Sequence, residues 1–312
     1  MRSFKIVLPG GAGLVGQNLV ARLVAAGYSN LVVIDKHTRN LSILRSLYPE
    51  LTFIEADLAV SGPWMESFKG AGAVVTLQAQ IGGVKFAEFE RNNIISTLLI
   101  LDAIRKNGPM RLIHISSSVV NSAADDFYTR SKTLQEQDVI ASGLLVTILR
   151  PTLMFGWFDR KHLGWLSRFM KKVPFFPVPG NGRYMRQPLY VGDFCGIIMS
   201  SLHNDELLGT FNISGLEKMD YIDIVRSIRS ANNLHRPIVQ IPYWLFYGLL
   251  AAWALFDKCP PFTTQQLAAL VAPDEFEVID WPGLFCVRPT PLQDAFEETF
   301  NDPIYSKIVL DF

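Results

Sequence analysis

The sequence predicts an α/β protein in which a doubly wound parallel sheet carries a smaller, less regular C-terminal lobe. Three observations predict it. A β-run, a glycine-rich turn, a helical pattern and a second β-run ending in an acid follow one another up to Asp35. Strand-and-helix units then repeat to about residue 150. Beyond that point the alternation gives way to two irregular segments, 157–185 and 215–312, with a return strand between them. The expected division is therefore 1–156 plus 186–214 for the sheet domain and 157–185 plus 215–312 for the lobe.

Phe4 to Leu8 (FKIVL) is apolar and rich in β-formers, as a central parallel strand requires. Gly10-Gly11-Ala12-Gly13-Leu14-Val15-Gly16 follows as G-x-x-G-x-x-G. Val15, Leu19, Leu23 and Ala26 then share one helical face, and Gly27 is a natural stop. Leu31 to Ile34 is the second β-run, closed by Asp35. Glycines let the backbone turn tightly and approach a pyrophosphate, while the helix N-terminus offers N–H groups and a positive dipole end. Gly10, Gly13, Leu14, Val15 and Gly16 are thus expected to bind a dinucleotide in a Rossmann arrangement. Asp35 lies 19 residues after Gly16, near the offset at which an acid accepts hydrogen bonds from the ribose hydroxyls. It would repel a 2′-phosphate, so NAD is expected rather than NADP, although Lys36 and Arg39 stand close enough to soften that preference.

The next strand, Leu51 to Ile54, ends at Glu55-Ala56-Asp57-Leu58. Ala73 to Leu77 opens into Gln78-Ala79-Gln80-Ile81-Gly82-Gly83, and a helix over 88–106 carries Asn93 and Thr97. Leu112 to Ile115 ends in Ser116-Ser117-Ser118. Ligands of such sheets sit beyond the carboxyl ends of the strands, so Asp35, Asp57, Gln78 and Ser117 should face one crevice.

Tyr128-Thr129-Arg130-Ser131-Lys132 is Y-x-x-x-K at the start of a helical pattern, which puts Tyr128 and Lys132 on one face. A free phenol has a pKa near ~10 and is a poor base at neutral pH. An ammonium one turn away, together with a bound nicotinamide cation, would favour the phenolate. A serine at the neighbouring strand end would hold a substrate hydroxyl beside the phenol. The combination suits hydride transfer at a carbinol carbon.

With these residues in view, the chain resembles the extended short-chain dehydrogenase/reductase family, the NAD-dependent epimerase/dehydratase group, over about residues 4–230. The resemblance rests on the three glycines, Asp35, Asp57-Leu58, Asn93 with Thr97, Ile115 to Ser118, Tyr128 and Lys132. Leu149 to Gly156 resembles the segment whose backbone, here at Pro151, reaches the nicotinamide. Leu189-Tyr190-Val191-Gly192-Asp193 resembles the segment that returns the chain to the first lobe. The resemblance implies Ser117, Tyr128 and Lys132 as catalytic residues, with Tyr128 and Lys132 also binding the cofactor, Lys132 at the nicotinamide ribose. It implies Arg186 as a substrate arginine, and a homodimer through the 88–106 helix and the Tyr128 helix. The chain departs from the family pattern in four places. Thr76-Leu77-Gln78-Ala79 replaces His-Leu-Ala-Ala, Val120-Asn121-Ser122 replaces Val-Tyr-Gly, and the stretch from Ser117 to Tyr128 is short. Thr152-Leu153-Met154 stands where nucleotide-sugar enzymes carry an asparagine.

The lobe is marked by charge. Between Arg160 and Arg186 there are seven cations and no acid, and between Asp274 and Asp302 eight acids against Arg288 alone. One reading is a phosphate-seeking rim; the other is two solvated faces that pair with each other. Ile241 to Phe256 is apolar around much of its circumference, too short to span a bilayer, and closed by Asp257 and Lys258. A core helix of the lobe or an oligomer contact is the first reading, and a membrane-surface or lipid-substrate helix the second. The stretch from Pro261 to Leu267 and that from Val287 to Leu292 also resemble the tail of members close to a nucleotide-binding accessory subunit of respiratory complex I.

Composition excludes other classes. With 29 Lys+Arg, 29 Asp+Glu and 49% hydrophobic residues, the chain is neither disordered nor cationic enough for non-specific nucleic-acid binding. Cys195, Cys259 and Cys286 are odd in number and widely spaced, which fits a reducing, cytoplasmic setting. The strand beginning at Phe4 leaves no room for a signal peptide. The five histidines show no ligand spacing, so no metal is expected. The leading reading is an NAD-dependent oxidoreductase or epimerase acting on a secondary alcohol, a small molecule of the nucleotide-linked sugar class. Two alternatives stand beside it: a dehydrogenase or reductase of the same fold for an apolar, steroid- or lipid-like alcohol or ketone, and a non-catalytic dinucleotide-binding subunit.

Overall fold

The structure is a computed structural model that describes residues 4–122, 124–256, 262–271 and 276–311. Asp257, Lys258, Cys259, Pro261 and Asp274, which entered the reading above, lie outside the described residues.

The chain alternates strand and helix from the start: β1 (Ile6–Pro9), α1 (Leu14–Ala25), β2 (Leu31–Asp35), α2 (Thr38–Leu47), β3 (Thr52–Glu55) and β4 (Ala73–Thr76). Two short α segments, α3 (Phe86–Phe89) and α4 (Ser96–Asn107), are joined by a π turn over Glu90–Ile95 and correspond to the single helix expected over 88–106. Then come β5 (Arg111–Ile115), α5 (Phe127–Ala141) and β6 (Val146–Pro151). The second half holds β7 (Met154–Phe155), α6 (Leu163–Lys172), β8 (Phe176–Pro179), β9 (Met185–Arg186), β10 (Leu189–Tyr190), α7 (Val191–Ser201) and β11 (Gly209–Ile213). It ends with β12 (Met219–Asp220), α8 (Tyr221–Ala231), β13 (Ile238–Ile241), α9 (Tyr243–Phe256), α10 (Thr264–Val271), α11 (Trp281–Phe285) and α12 (Leu292–Asn301).

Among the described residues, seven strands form one parallel sheet in the order β11-β6-β5-β4-β1-β2-β3. This is the predicted doubly wound architecture. Strands β1, β2, β4 and β5 are buried along their whole length, which accounts for the apolar runs in them, while β5 also buries Arg111 and His114. The chain winds outward from β1 through β2 to β3, then crosses to β4 and continues the other way. A crevice opens at that reversal, between the carboxyl ends of β1 and β4.

The lobe is built from short strand pairs: β8 with β13, β9 with β12, and β7 with β10. Its core is continuous with that of the sheet, running from Leu19 and Val33 through Phe155 and Phe194 to Trp281 and Phe296. Arg22, in the last turn of α1, stitches the two halves. Its guanidinium donates to Tyr190 Oη at 2.8 Å and Glu298 Oε1 at 2.7 Å, and lies 4.4 Å from the Trp157 ring. The C-terminal segment returns to the first half, where Asn40 exchanges two hydrogen bonds with the Asp311 backbone.

Helix α9 departs from one half of its first sequence reading, the core helix, and leaves the oligomer contact open. Twelve of its fourteen residues are exposed, none is buried, and only Phe246 and Leu250 are half-buried. It is not a core helix of the lobe. A helix that is apolar all round carries no polar face to say which side the protein covers, so periodicity was silent here. No helix among the described residues is long and apolar enough to cross a membrane.

Candidate active site in the crevice

A cleft of about 780 Å³ fills the crevice. Gly10, Gly13, Leu14, Val15, Gly16, Asp35, Asp57, Leu58, Gln78, Ser117, Tyr128 and Pro151 all line it.

The three fingerprint glycines do different work. Gly10 has φ +76°, and a Cβ there would stand 2.3 Å from the Gln78 backbone nitrogen. A Cβ at Gly16 would stand 2.3 Å from the Gly11 carbonyl oxygen. Both are required for the turn and helix to pack. At Gly13 the nearest atom to a Cβ is 3.7 Å away, so the protein itself leaves room. That room faces the N-terminus of α1, which has no side-chain cap and no acid in its first turn. Free N–H groups and an uncompensated dipole end suit a pyrophosphate. We expect Gly13→Val to abolish NAD binding, read by calorimetry, with an unchanged melting temperature. A loss of fold would mean instead that the position serves packing.

Asp35, at the end of β2, accepts from Ala12 N and His37 N, each at 3.0 Å, and keeps acceptor capacity for a ligand. Asp57 holds the Ala59 N–H at 2.9 Å and pairs with Arg91 at 2.8 Å. Gln78 donates to Thr97 Oγ1 at 3.0 Å, but its Oε1 is buried without a partner, as is Thr152 Oγ1. Orphaned buried polar atoms are costly. Two of them on residues that line one cleft fit a polar ligand there, so the residues present fit a bound dinucleotide.

Tyr128 and Lys132 come from the first two turns of α5, whose N-cap Asp126 accepts the Thr129 N–H at 2.8 Å. Tyr128 is half-buried at the cleft wall. Lys132 lies beneath it, fully buried, donating to Ile115 O at 3.0 Å and to Gln135 Oε1. Gln135 in turn donates to Thr97 Oγ1 at 2.8 Å. Asn93, at the π turn, accepts from Gln80 N at 2.6 Å and donates to Ser131 Oγ at 2.9 Å. Asn93 and Thr97 therefore tie the loop after β4 to α5. Below the serines, Glu136 accepts from Ser116 Oγ and from the Arg150 guanidinium.

The electrostatics differ from the expectation in one respect. Burial pushes the Tyr128 phenol above its ordinary value; a hydrogen bond with Ser117 pulls it down, and Asp126 adds to the rise. Lys132 is not among the groups that set this shift. Burial instead pushes Lys132 itself down to about 7, against the pull of Glu136. His114, on β5, is fully buried and held well below its ordinary value by burial and then by Lys132.

Arg186 stands apart from the cleft lining. Its guanidinium donates to the Leu270 carbonyl, because α10 lies over β9. The cations that do line the cleft are Lys36, Arg160 and Lys161. Arg160 and Lys161 belong to the charge run but were not singled out. Asp159 fixes their loop by accepting from the Lys161, His162 and Gly164 N–H groups, each at 2.9 Å. Phe158, also on the cleft wall, takes φ +67°, a left-handed conformation that is strained for a bulky residue. Aromatic contacts with Tyr305 hold this turn. Nothing local in the sequence signals it. Phe276, from the C-terminal segment, also lines the cleft and was missed.

Residues 6–214 match the family model described as the NAD dependent epimerase/dehydratase family. The chain is 27% identical to sterol-4-alpha-carboxylate 3-dehydrogenase, decarboxylating, of Mus musculus, across 95% of this chain and 90% of that one. It is 25% identical to NADH dehydrogenase (ubiquinone) 1 alpha subcomplex subunit 9, mitochondrial, of Mus musculus, across 91% of this chain and 76% of that one. Among solved structures, a UDP-N-acetylglucosamine 4-epimerase from Methanobrevibacter ruminantium superposes with a TM-score of 0.73 at 18% identity, covering 96% of this chain and 98% of that one. At that identity the likeness concerns the fold.

Proposed function

The chain belongs to the NAD-dependent epimerase/dehydratase family, and from that premise we propose that it interconverts a secondary alcohol and a ketone on a largely apolar molecule. It is an enzyme of this type and its cofactor is NAD. Bound NAD supplies the acceptor or donor of a hydride. Ser117 Oγ hydrogen-bonds the reacting oxygen, and Tyr128 Oη takes the hydroxyl proton in oxidation and returns it in reduction. Lys132 donates to Ile115 O and Gln135 Oε1, and in its protonated form it would have a third N–H for the cofactor ribose. Gly10, Gly13, Leu14, Val15 and Gly16 hold the pyrophosphate, Asp35 the ribose, Asp57 and Leu58 the adenine edge, and Gln78 and Pro151 the nicotinamide end.

One observation carries the apolar substrate. The residues that wall the cleft beyond the dinucleotide positions include Ile81, Val119, Leu153, Met154, Phe158 and Phe276, while Arg186 is engaged elsewhere. The sterol dehydrogenase likeness, which spans nearly the whole chain, supports the same reading. A nucleotide-linked sugar is the second reading, favoured by Arg160 and Lys161 on the same cleft. Thermal stabilisation separates them. UDP or dTDP should leave the melting temperature of the NAD complex unchanged, while hydroxysteroids or long-chain hydroxy compounds raise it and are turned over. A nucleotide shift lost in Arg160→Ala would reverse the order. A homodimer through α4 and α5 is also proposed, supported by exposed Ile95, Leu98 and Leu134 on those helices or the π turn before them.

A further inference from the structure

Helix α9 reads YWLFYGLLAAWALF, without one charged residue. Trp244 is 73% exposed, Leu249 56%, Leu255 83% and Phe256 92%. Such a surface is not stable against water on its own, so something covers it. We propose that α9 lies in the surface of a bilayer carrying anionic lipids and docks the protein there.

Three features favour lipid over a second protein surface. The first is geometry. Phe246 and Leu250, one turn apart on a single face, are the half-buried residues of α9, and Phe246 packs against Phe262. The rest of the circumference is exposed and apolar. A facing helix or sheet covers one stripe of such a cylinder, whereas acyl chains cover every side that is immersed. The second is length. Fourteen residues make about 21 Å of helix against a hydrocarbon core of about 30 Å. The helix is therefore too short to cross, and lies along the interface. Tyr243, Trp244 and Tyr247 at its start are the amphipathic rings that favour that depth.

The third is charge. The helix has no basic face of its own, but its neighbours supply one. Segments 160–186 and 224–256, which build α6, β8, β9, most of α8, β13 and α9, hold ten Lys and Arg and no Asp or Glu, although Arg226 pairs with Asp223 at 2.8 Å just before the second segment and Arg186 is engaged by the Leu270 carbonyl. Lys171 and Lys172 are exposed just before exposed Phe175. Exposed Arg183 follows the turn that is bonded to the foot of α9, through Gly180 N to Ile241 O at 2.7 Å and Gln240 Nε2 to Asn181 O at 3.2 Å. A cationic surround beside an apolar helix fits an anionic headgroup layer. This inference does not depend on the substrate proposed above.

Co-sedimentation tests it with the full chain and two vesicle types, phosphatidylcholine alone and an equal mixture with phosphatidylglycerol. The wild type should sediment with the mixed vesicles and less with the neutral ones, and Trp emission should shift to the blue. Trp244→Glu with Leu255→Glu, both at highly exposed positions, should weaken vesicle affinity more than about tenfold, since two large apolar side chains no longer leave water. Its NAD affinity and its mass by light scattering should not change. Lys171→Ser with Lys172→Ser and Arg183→Ser should weaken binding to the mixed vesicles alone. A wild type that stays in the supernatant with both vesicle types overturns the proposal. So does a double variant that binds like the wild type. A double variant whose mass halves in the absence of lipid overturns it too, because a second copy then covers the helix.

Discussion

Tyr128→Phe is expected to lower kcat about a thousandfold, within the range that general acid–base catalysis supplies, while NAD binds as tightly as before. The substitution removes one oxygen and keeps the ring. Tyr128 is half-buried at the cleft wall, so the phenylalanine ring retains the packing and α5 retains its cap from Asp126. What disappears is the hydroxyl proposed to exchange a proton with the substrate oxygen, which also bonds Ser117. Burial pushes the phenol upward, so in the wild type the rate of alcohol oxidation should climb with pH through the neutral and alkaline range. The rise should be missing in the variant. Steady-state turnover across pH, with calorimetric NAD binding alongside, checks both parts. A variant that keeps more than about a tenth of the activity removes Tyr128 from the chemistry, because no general acid–base role is that small. Loss of NAD binding would instead assign the tyrosine to the cofactor.

The sheet, and the gathering of the glycine turn and Asp35 on one cleft, were legible because each position there has a single job. Gly10 and Gly16 are the only residue type that avoids a clash at their sites, and Asp35 sits at a strand end whose direction the parallel topology dictates. Spacing along the chain therefore maps onto spacing in the cleft. The substrate half was less legible because its residues are brought in by contacts between distant segments. Whether Arg186 reaches the cleft depends on α10, which lies 84 residues away in the chain and supplies the Leu270 carbonyl. The turn at Phe158 depends on Tyr305. The π turn at Glu90–Ile95 holds Asn93, which bridges two other elements, and no break in the local pattern marks it. In α9 the missing signal is of another kind. Apolarity without periodicity does not say which side of a helix the protein covers.

Lys132→Met is expected to cut turnover by about a hundredfold or more and, at neutral pH, to raise thermal stability relative to the loss its hydrogen bonds alone would cause. The lysine is fully buried and its folded-state value of about 7 lies below the ordinary 10.5. Between those two values the unfolded chain holds a proton that the folded chain does not, so unfolding takes one up. Stability from this group is therefore highest at high pH, falls as the pH drops from about 10.5 toward 7, and is level below that. The cost at neutral pH is several kcal/mol, at about 1.4 kcal/mol per pKa unit. Methionine fills a similar volume without a charge and removes this dependence. It also strands the Gln135 oxygen and the Ile115 carbonyl, a loss of about 1–3 kcal/mol for each group that does not depend on pH. The two effects separate in a melting series. The gap between variant and wild type should favour the variant most at pH 7 and shrink steadily toward pH 10. A gap that stays flat across that interval means the lysine keeps its proton when the chain folds. The ammonium would then be a permanent charge beneath the phenol, and the pair would have to be tuned by something other than burial.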